Sequence, residues 1–295
     1  MVLSRDNLFP EVLVGDFISK VKGYSSIAKL CNQEPIPFNG MKEFTFTMDK
    51  EVDIVAENGK KSEGGISVEP ITIIPLKIEY GARVSDEFKY GEEEYRLNVL
   101  KSFADGFAKK SGAAVDYMLM HGVNPRTGQA SDIIGDNCLD KKVTQTVNFN
   151  EEDPDTNIET AVGLIRGSDG DVSGAAFDPT FSSALSKIKV NGVKQFPELS
   201  WGANPGTVNG LPVDINKTVG KFGKDKAIVG NFRDMIKWGY AKQIPLKVIE
   251  YGDPDNSGED LQGHNQVYIR CEAYIGWGIF APEQFARIVE GAEAA

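Results

Sequence analysis

Hydrophobic and polar positions alternate through Phe44-Thr45-Phe46-Thr47-Met48, which predicts a half-buried strand. A second run of strand character, Ile71 to Ile78, follows a charged, glycine-rich tip, Ala56-Glu57-Asn58-Gly59-Lys60-Lys61-Ser62-Glu63-Gly64-Gly65. Pro70 and Pro75 place the returning strand at an edge, because proline cannot donate to a ladder. The expected element is a long hairpin. It cannot bury both faces against its own chain, and an isolated two-stranded hairpin is marginal in water. Something else must cover it, and a second copy of the chain is the simplest cover.

The period then changes. Ser85 is placed to cap a short helical turn through Asp86, Glu87 and Phe88 that Gly91 breaks. From Glu92 to His121, Leu97, Leu100, Ala104, Phe107, Ser111, Ala114, Val115 and Met118 recur three or four apart, while Arg96, Lys101, Asp105, Lys109 and Asp116 point elsewhere. The spacing predicts one helix about 45 Å long, closed by Gly122. It reads as a spine.

Ahead of the hairpin, residues from Phe17 to Leu30 show helical spacing before Pro35 and Pro37, as in an arm with a short helix. Beyond the spine, Pro125 to Gly128 is a turn, Thr156 is a candidate cap for a helix over Ile158 to Arg166, and Pro179 to Lys189 predicts another, stopped by Asn191-Gly192. Asn209-Gly210 predicts a type I′ hairpin. Ala227 to Gly230, Ile244 to Tyr251 and Gln266 to Phe280 read as strands, and Pro282 to Val289 as a closing helix. Helices and strands interleave without a βαβ rhythm, so the fold class is α+β.

Composition narrows the function. The 295 residues are 41% hydrophobic and 25% charged, as in a globular protein. No apolar run reaches 18 residues, so no membrane-spanning helix is expected, and the start lacks the pattern of a signal peptide. Cys31, Cys138 and Cys271 are odd in number and far apart, which favours reduced thiols over a disulfide framework. A net charge of −11, with no basic cluster, disfavours a grip on nucleic-acid phosphates.

Chemistry-bearing motifs are sparse. His121 and His264 have no partner at metal-ligand spacing and read as a helix-end and a surface histidine. The cysteines lack CxxC spacing and read as buried thiols. Gly220-Lys221-Phe222-Gly223-Lys224-Asp225 departs from the phosphate-loop pattern and reads as a solvated turn. No GxSxG elbow occurs. No catalytic, cofactor-binding or metal-ligating residue is assigned. Lys60 and Lys61 admit two readings, a charged tip that guards an exposed edge or a contact between subunits.

The order of these features resembles the major capsid proteins of tailed bacteriophages, whose fold is shared with encapsulin shells and herpesvirus capsid floors. The residues that carry the likeness are Ala56-Glu57-Asn58-Gly59 with the strand through Ile78, Val84-Ser85-Asp86-Glu87-Phe88, and Asp116 with His121-Gly122 and Pro125-Arg126-Thr127-Gly128. They continue through Leu185 to Gly192, Gly210-Leu211-Pro212-Val213, Ala227 to Phe232 and Val267 to Phe285. Seven weak motifs stand in one order across residues 44 to 289.

The resemblance implies an N-terminal arm (1–40), an extended loop with its flanking strands (41–80), a peripheral domain (81–128 and 240–278) built on a spine helix 92–121, and an axial domain (129–239 and 279–295). It implies self-assembly into hexamers and pentamers of an icosahedral head enclosing dsDNA without specific binding, in a virion assembled in the host cytoplasm. Portal protein is an expected partner; a separate scaffold protein and decoration proteins are further candidates, and no cofactor is expected. Many relatives carry a scaffolding segment ahead of the arm; with the arm starting at Met1, a separate scaffold or none is expected. Glu57, Asn58, Gly59, Lys60 and Lys61 at the loop tip become the candidate intersubunit contacts. The lysine–asparagine crosslink of some relatives is not carried over, because no partner asparagine or carboxylate matches. An encapsulin-like compartment and a soluble enzyme of unknown chemistry remain the alternatives.

Overall fold

The computed structural model describes residues 24–291, so the predicted arm up to residue 23 lies outside the described residues. The chain then runs through a short helix α1 (Ser26–Leu30) into the hairpin β1 (Met41–Met48) and β2 (Ile66–Ile73). The returning segment, read as one strand, is two. Ile74 and Pro75 divide it, and β3 (Leu76–Ser85) leaves the hairpin for another sheet. Pro75 has no N–H to continue the first ladder, which makes it a natural point to change partners. The Ser85 hydroxyl accepts the Glu87 N–H and caps a 3-10 turn over Asp86–Tyr90, as its sequence position implied.

The spine is helix α2 (Glu93–His121), closed by Gly122 in the left-handed region at φ 65°. Its first half is largely solvated, and Leu97, expected in the core, is half-exposed. Its last third is buried on every side. There it meets α1, a short helix α3 (Leu139–Lys142) and a three-stranded sheet of order β11 (Ile236–Ile249), β12 (Gln266–Ile279), β3. Trp238, Ile269, Ile275, Val115 and Leu119 form the core they share.

A mixed six-stranded sheet forms the rest of the body. Its order is β4 (Thr146–Asn148), β13 (Phe285–Val289), β10 (Asp225–Gly230), β5 (Gly174–Phe177), β9 (Leu211–Ile215) and β8 (Thr207–Val208). Alternation along β10 serves two cores: Ile228 faces the spine cluster, while Ala227 and Val229 pack under α4 (Pro154–Gly167) and α5 (Pro179–Lys187).

Three local expectations are corrected. The cap of α4 is Asp153, whose carboxylate accepts the Thr156 N–H with Pro154 following, so the helix starts earlier than Thr156 suggested. Helix α5 ends at Lys187, and Asn191-Gly192 turns the small hairpin β6 (Lys189–Val190) and β7 (Val193–Lys194) with φ of 51° and 82°. Pro282 to Val289 is not a closing helix. One 3-10 turn over Pro282–Gln284 precedes β13, because pairing with β10 on one side and β4 on the other satisfies its backbone. Asn209 and Gly210, at φ 50° and 84°, do form the type I′ turn joining β8 to β9.

Candidate assembly surface

The hairpin register decides what its faces present. Directly opposed residues share a face, and the pairs Phe44↔Pro70, Phe46↔Val68 and Met48↔Ile66 put six apolar residues in one stripe. The opposite face carries Thr45↔Glu69. The apolar stripe is uncovered: Phe44 is 64% exposed and Met48 70%. In the loop beyond the ladder, Val52 and Ile54 are also uncovered, 93% and 98% exposed. Aligned apolar surface of this kind marks an interaction site.

The tip has little internal structure. Gly59 N–H donates to the Ala56 carbonyl at 2.8 Å, and Asn58 takes φ 65° to make that turn. Asp49 and Gly65 pinch the base of the loop through a 2.6 Å hydrogen bond. Glu57, Asn58, Gly59, Lys60 and Lys61 all stand in solvent around the turn.

The segment before the hairpin is fastened at two places. Asp116, grouped by periodicity with the outward residues of the spine, is wholly buried. Its carboxylate accepts the Ser26 and Ile27 N–H groups at 2.9 and 3.1 Å and the hydroxyls of Ser25 and Thr218. Burial pushes its pKa up to about 6, against the pull of these four donors. Beside it, Asp214 accepts Lys29 Nζ and the Ser26 hydroxyl, both at 2.7 Å. Burial raises this second carboxyl, but Lys29, Asn204 and Ser26 outweigh it and hold the pKa below the usual value.

The second fastening is a strand addition. Gln33 bridges in parallel to Trp238, Glu34 N–H donates to the Trp238 carbonyl at 2.9 Å, and Ile36 N–H to that of Tyr240 at 3.4 Å. Gly239 makes this approach possible, since a Cβ there would stand 1.7 Å from the Glu34 carbonyl oxygen. The hairpin therefore projects from a rigidly held root.

A third device holds the rim of the three-stranded sheet. Arg83 Nη2 sits among Asp253 Oδ1 at 2.7 Å, Asp255 Oδ1 at 2.6 Å, the Ser257 hydroxyl and the Glu259 carbonyl. The spacing Asp253-x-Asp255-x-Ser257-Gly258 is that of loops that wrap a cation, and here the cation is a guanidinium. The hydrogen bond and charge of Arg83 hold the Asp255 pKa near about 2.

The remaining sequence candidates divide. His264 ends an exposed 3-10 turn. His121 does end the spine helix, and it is buried there. All three cysteines are buried and unpaired, and burial pushes the Cys271 thiol up to about 12. Gly220 to Asp225 is more than a solvated turn: Phe222 packs edge-on against Tyr117 with ring centroids 4.7 Å apart. Among the described residues no helix is long and apolar enough to cross a membrane.

The description of the phage capsid family matches residues 6–289. A solved chain from Mycobacterium phage Ogopogo superposes with a TM-score of 0.79 at 32% identity, over 91% of this chain and 92% of that one. One from Gordonia phage Cozz gives a TM-score of 0.76 at 24% identity, covering 91% and 87%. A chain described as the capsid of a native GTA particle shares the fold, with a TM-score of 0.64 at 14% identity over 90% of both. No curated protein sequence matches the chain.

Proposed function

Because the chain belongs to the phage capsid family, and is a major capsid protein whose copies build the icosahedral shell of a virion, we propose that its hairpin is the element that clasps a neighbouring copy. The uncovered apolar stripe of β1 and β2 carries this reading. Six apolar residues aligned on one face of a two-stranded ribbon find no cover in their own subunit, and a ring of identical copies supplies one through heterologous contacts. The tip residues Glu57, Asn58, Gly59, Lys60 and Lys61 are the polar end of that contact.

In this reading the copies close into hexamers and pentamers. The arm takes residues 1–40, the loop and its strands 41–80, the peripheral domain 81–128 with 240–278, and the axial domain 129–239 with 279–295. The shell encloses dsDNA without gripping it, in keeping with the net charge of −11. A portal protein, a separate scaffold and decoration proteins are its proposed partners, and assembly takes place in the host cytoplasm.

The test is to replace Phe44, Phe46 and Met48 together with serine. The purified subunit is expected to keep its melting temperature, because these side chains touch little of their own chain. Shell yield, read by sedimentation and electron microscopy, is expected to fall at least tenfold. Shells at wild-type yield would sink the proposal.

A further inference from the structure

We propose that His121, Asp140 and Asp225 form a site for one divalent transition-metal ion, with Zn2+ the best match, which pins the end of the spine helix to the six-stranded sheet. The three residues come from α2, α3 and β10 and lie far apart in sequence. His121 Nδ1 lies 3.0 Å from Asp140 Oδ2 and 3.8 Å from Asp225 Oδ2, and all three donors fall within 4.8 Å of one another. Donors on a tetrahedral zinc at its usual bond lengths sit roughly 3.4 Å apart, between the two measured separations.

The buried carboxylates of the cluster must be met either by protons or by a cation. His121 Nε2 lies 3.1 Å from the Thr218 carbonyl, which can only accept, so Nε2 carries the hydrogen. The lone pair of a neutral ring therefore sits on Nδ1, facing two carboxylates. Without a metal, a proton on Nδ1 serves Asp140 Oδ2, and buried Asp225 Oδ2 needs a second proton, shared with Asp140, to gain a partner. A metal ion reaches all three atoms at once.

The outer contacts have the form that orients metal ligands. A ligating histidine ordinarily gives its other N–H to a carbonyl or carboxylate, and ligating carboxylates are themselves held by donors. Here Thr218 takes the N–H, and Arg287 binds the far oxygens, Nε to Asp225 Oδ1 at 2.9 Å and Nη2 to Asp140 Oδ1 at 2.8 Å. The near oxygens are left for the ion. The site also lies at the negative pole of a long helix, which favours a cation. Gly223 closes over it: a Cβ there would stand 2.7 Å from His121 Nδ1 and 3.3 Å from Asp140 Oδ2. Glycine alone keeps the space beside the donors open.

This inference does not depend on the clasping role of the hairpin. The full chain would be dialysed against chelator and titrated with Co2+ as a spectroscopic stand-in, then with Zn2+. One Co2+ per chain is expected, with the visible bands of a tetrahedral ion, displaced by Zn2+, and a melting temperature raised by about 5 °C at a hundredfold excess over Kd. Asp225→Asn, folded by circular dichroism, should lose the bands. No bands and no Zn2+ shift in the folded wild-type chain would overturn the proposal and leave a proton alone between the three residues. Bands that persist in both Asp225→Asn and His121→Gln would also overturn it, by placing the ion elsewhere.

Discussion

Gly239→Ala offers a sharp test of how the root of the hairpin is held. The new methyl carbon would stand 1.7 Å from the Glu34 carbonyl oxygen, where ordinary contact needs about 3.4 Å, and 2.8 Å from the carbonyl carbon. These are backbone atoms on both sides, so no rotamer change relieves the clash, and the segment at Glu34 must move away from β11. Moving it breaks the bonds from Glu34 and Ile36 to the Trp238 and Tyr240 carbonyls, at about 1 kcal/mol each. It also uncovers Ile36, which is 4% exposed, at about 2 kcal/mol. The expected loss is about 4 kcal/mol, a large share of the 5–15 kcal/mol typical of a domain. Gly106→Ala provides the opposite sign. It lies inside the spine helix with nothing within 4 Å of the added carbon, and should stabilise by about 0.5–1 kcal/mol. Urea midpoints of the isolated subunit measure both, and hydrogen exchange at the Ile36 amide reports the segment directly. A Gly239→Ala loss under about 1 kcal/mol, with the Ile36 amide as protected as before, would refute the strand-addition account.

Three further outcomes are expected. Asp116 has a native pKa of about 6 against an ordinary value of 3.8, so between those values the folded state holds a proton that the unfolded chain has released; stability from this group is gained as pH falls through 6 towards 4, by about 3 kcal/mol in all. Unfolding free energies from pH 4 to 8 should show that slope in the wild type and not in Asp116→Asn, and parallel curves would contradict it. Deleting Asn58 to Gly65 should leave the subunit melting temperature unchanged but impair shell assembly or shell heat resistance, and unaltered shells would speak against a role for the tip. Arg83→Ala should release the loop that carries Asp253, Asp255 and Ser257, seen as faster proteolytic cleavage near Asp255 in an otherwise folded subunit; an equally resistant loop would count against the guanidinium as its centre.

Local signals carried far along this chain. The hairpin, the Ser85 cap, the spine and the Asn209-Gly210 turn are each written in a few neighbouring residues, through alternation, capping chemistry or positive-φ preference. What stayed hidden depends on long-range pairing. Phe285 to Val289 suits a helix or a strand by composition, and only β10 and β4 on either side decide for the strand. Asp116 looks like a solvent residue on a helical wheel, yet the last third of the spine is enclosed on all sides, so periodicity loses its meaning there. His121, Asp140, Asp225 and Arg287 are scattered along the chain, Asp140 and Arg287 alone standing 147 positions apart, and no spacing rule links them. The Asp-x-Asp-x-Ser-Gly loop was the one such signal open to a reader of the sequence, though its partner, Arg83, was not.

The proposed cover for the apolar stripe of the hairpin is a neighbouring copy. A cryo-electron reconstruction of assembled particles, at a resolution that shows side chains, tests it most directly. Phe44, Phe46, Met48, Ile66 and Val68 are expected to pack against residues of an adjacent subunit, with the Glu57 to Lys61 turn at the far end of that contact. A closed shell in which the stripe still faces solvent, or folds back onto its own subunit, would contradict it.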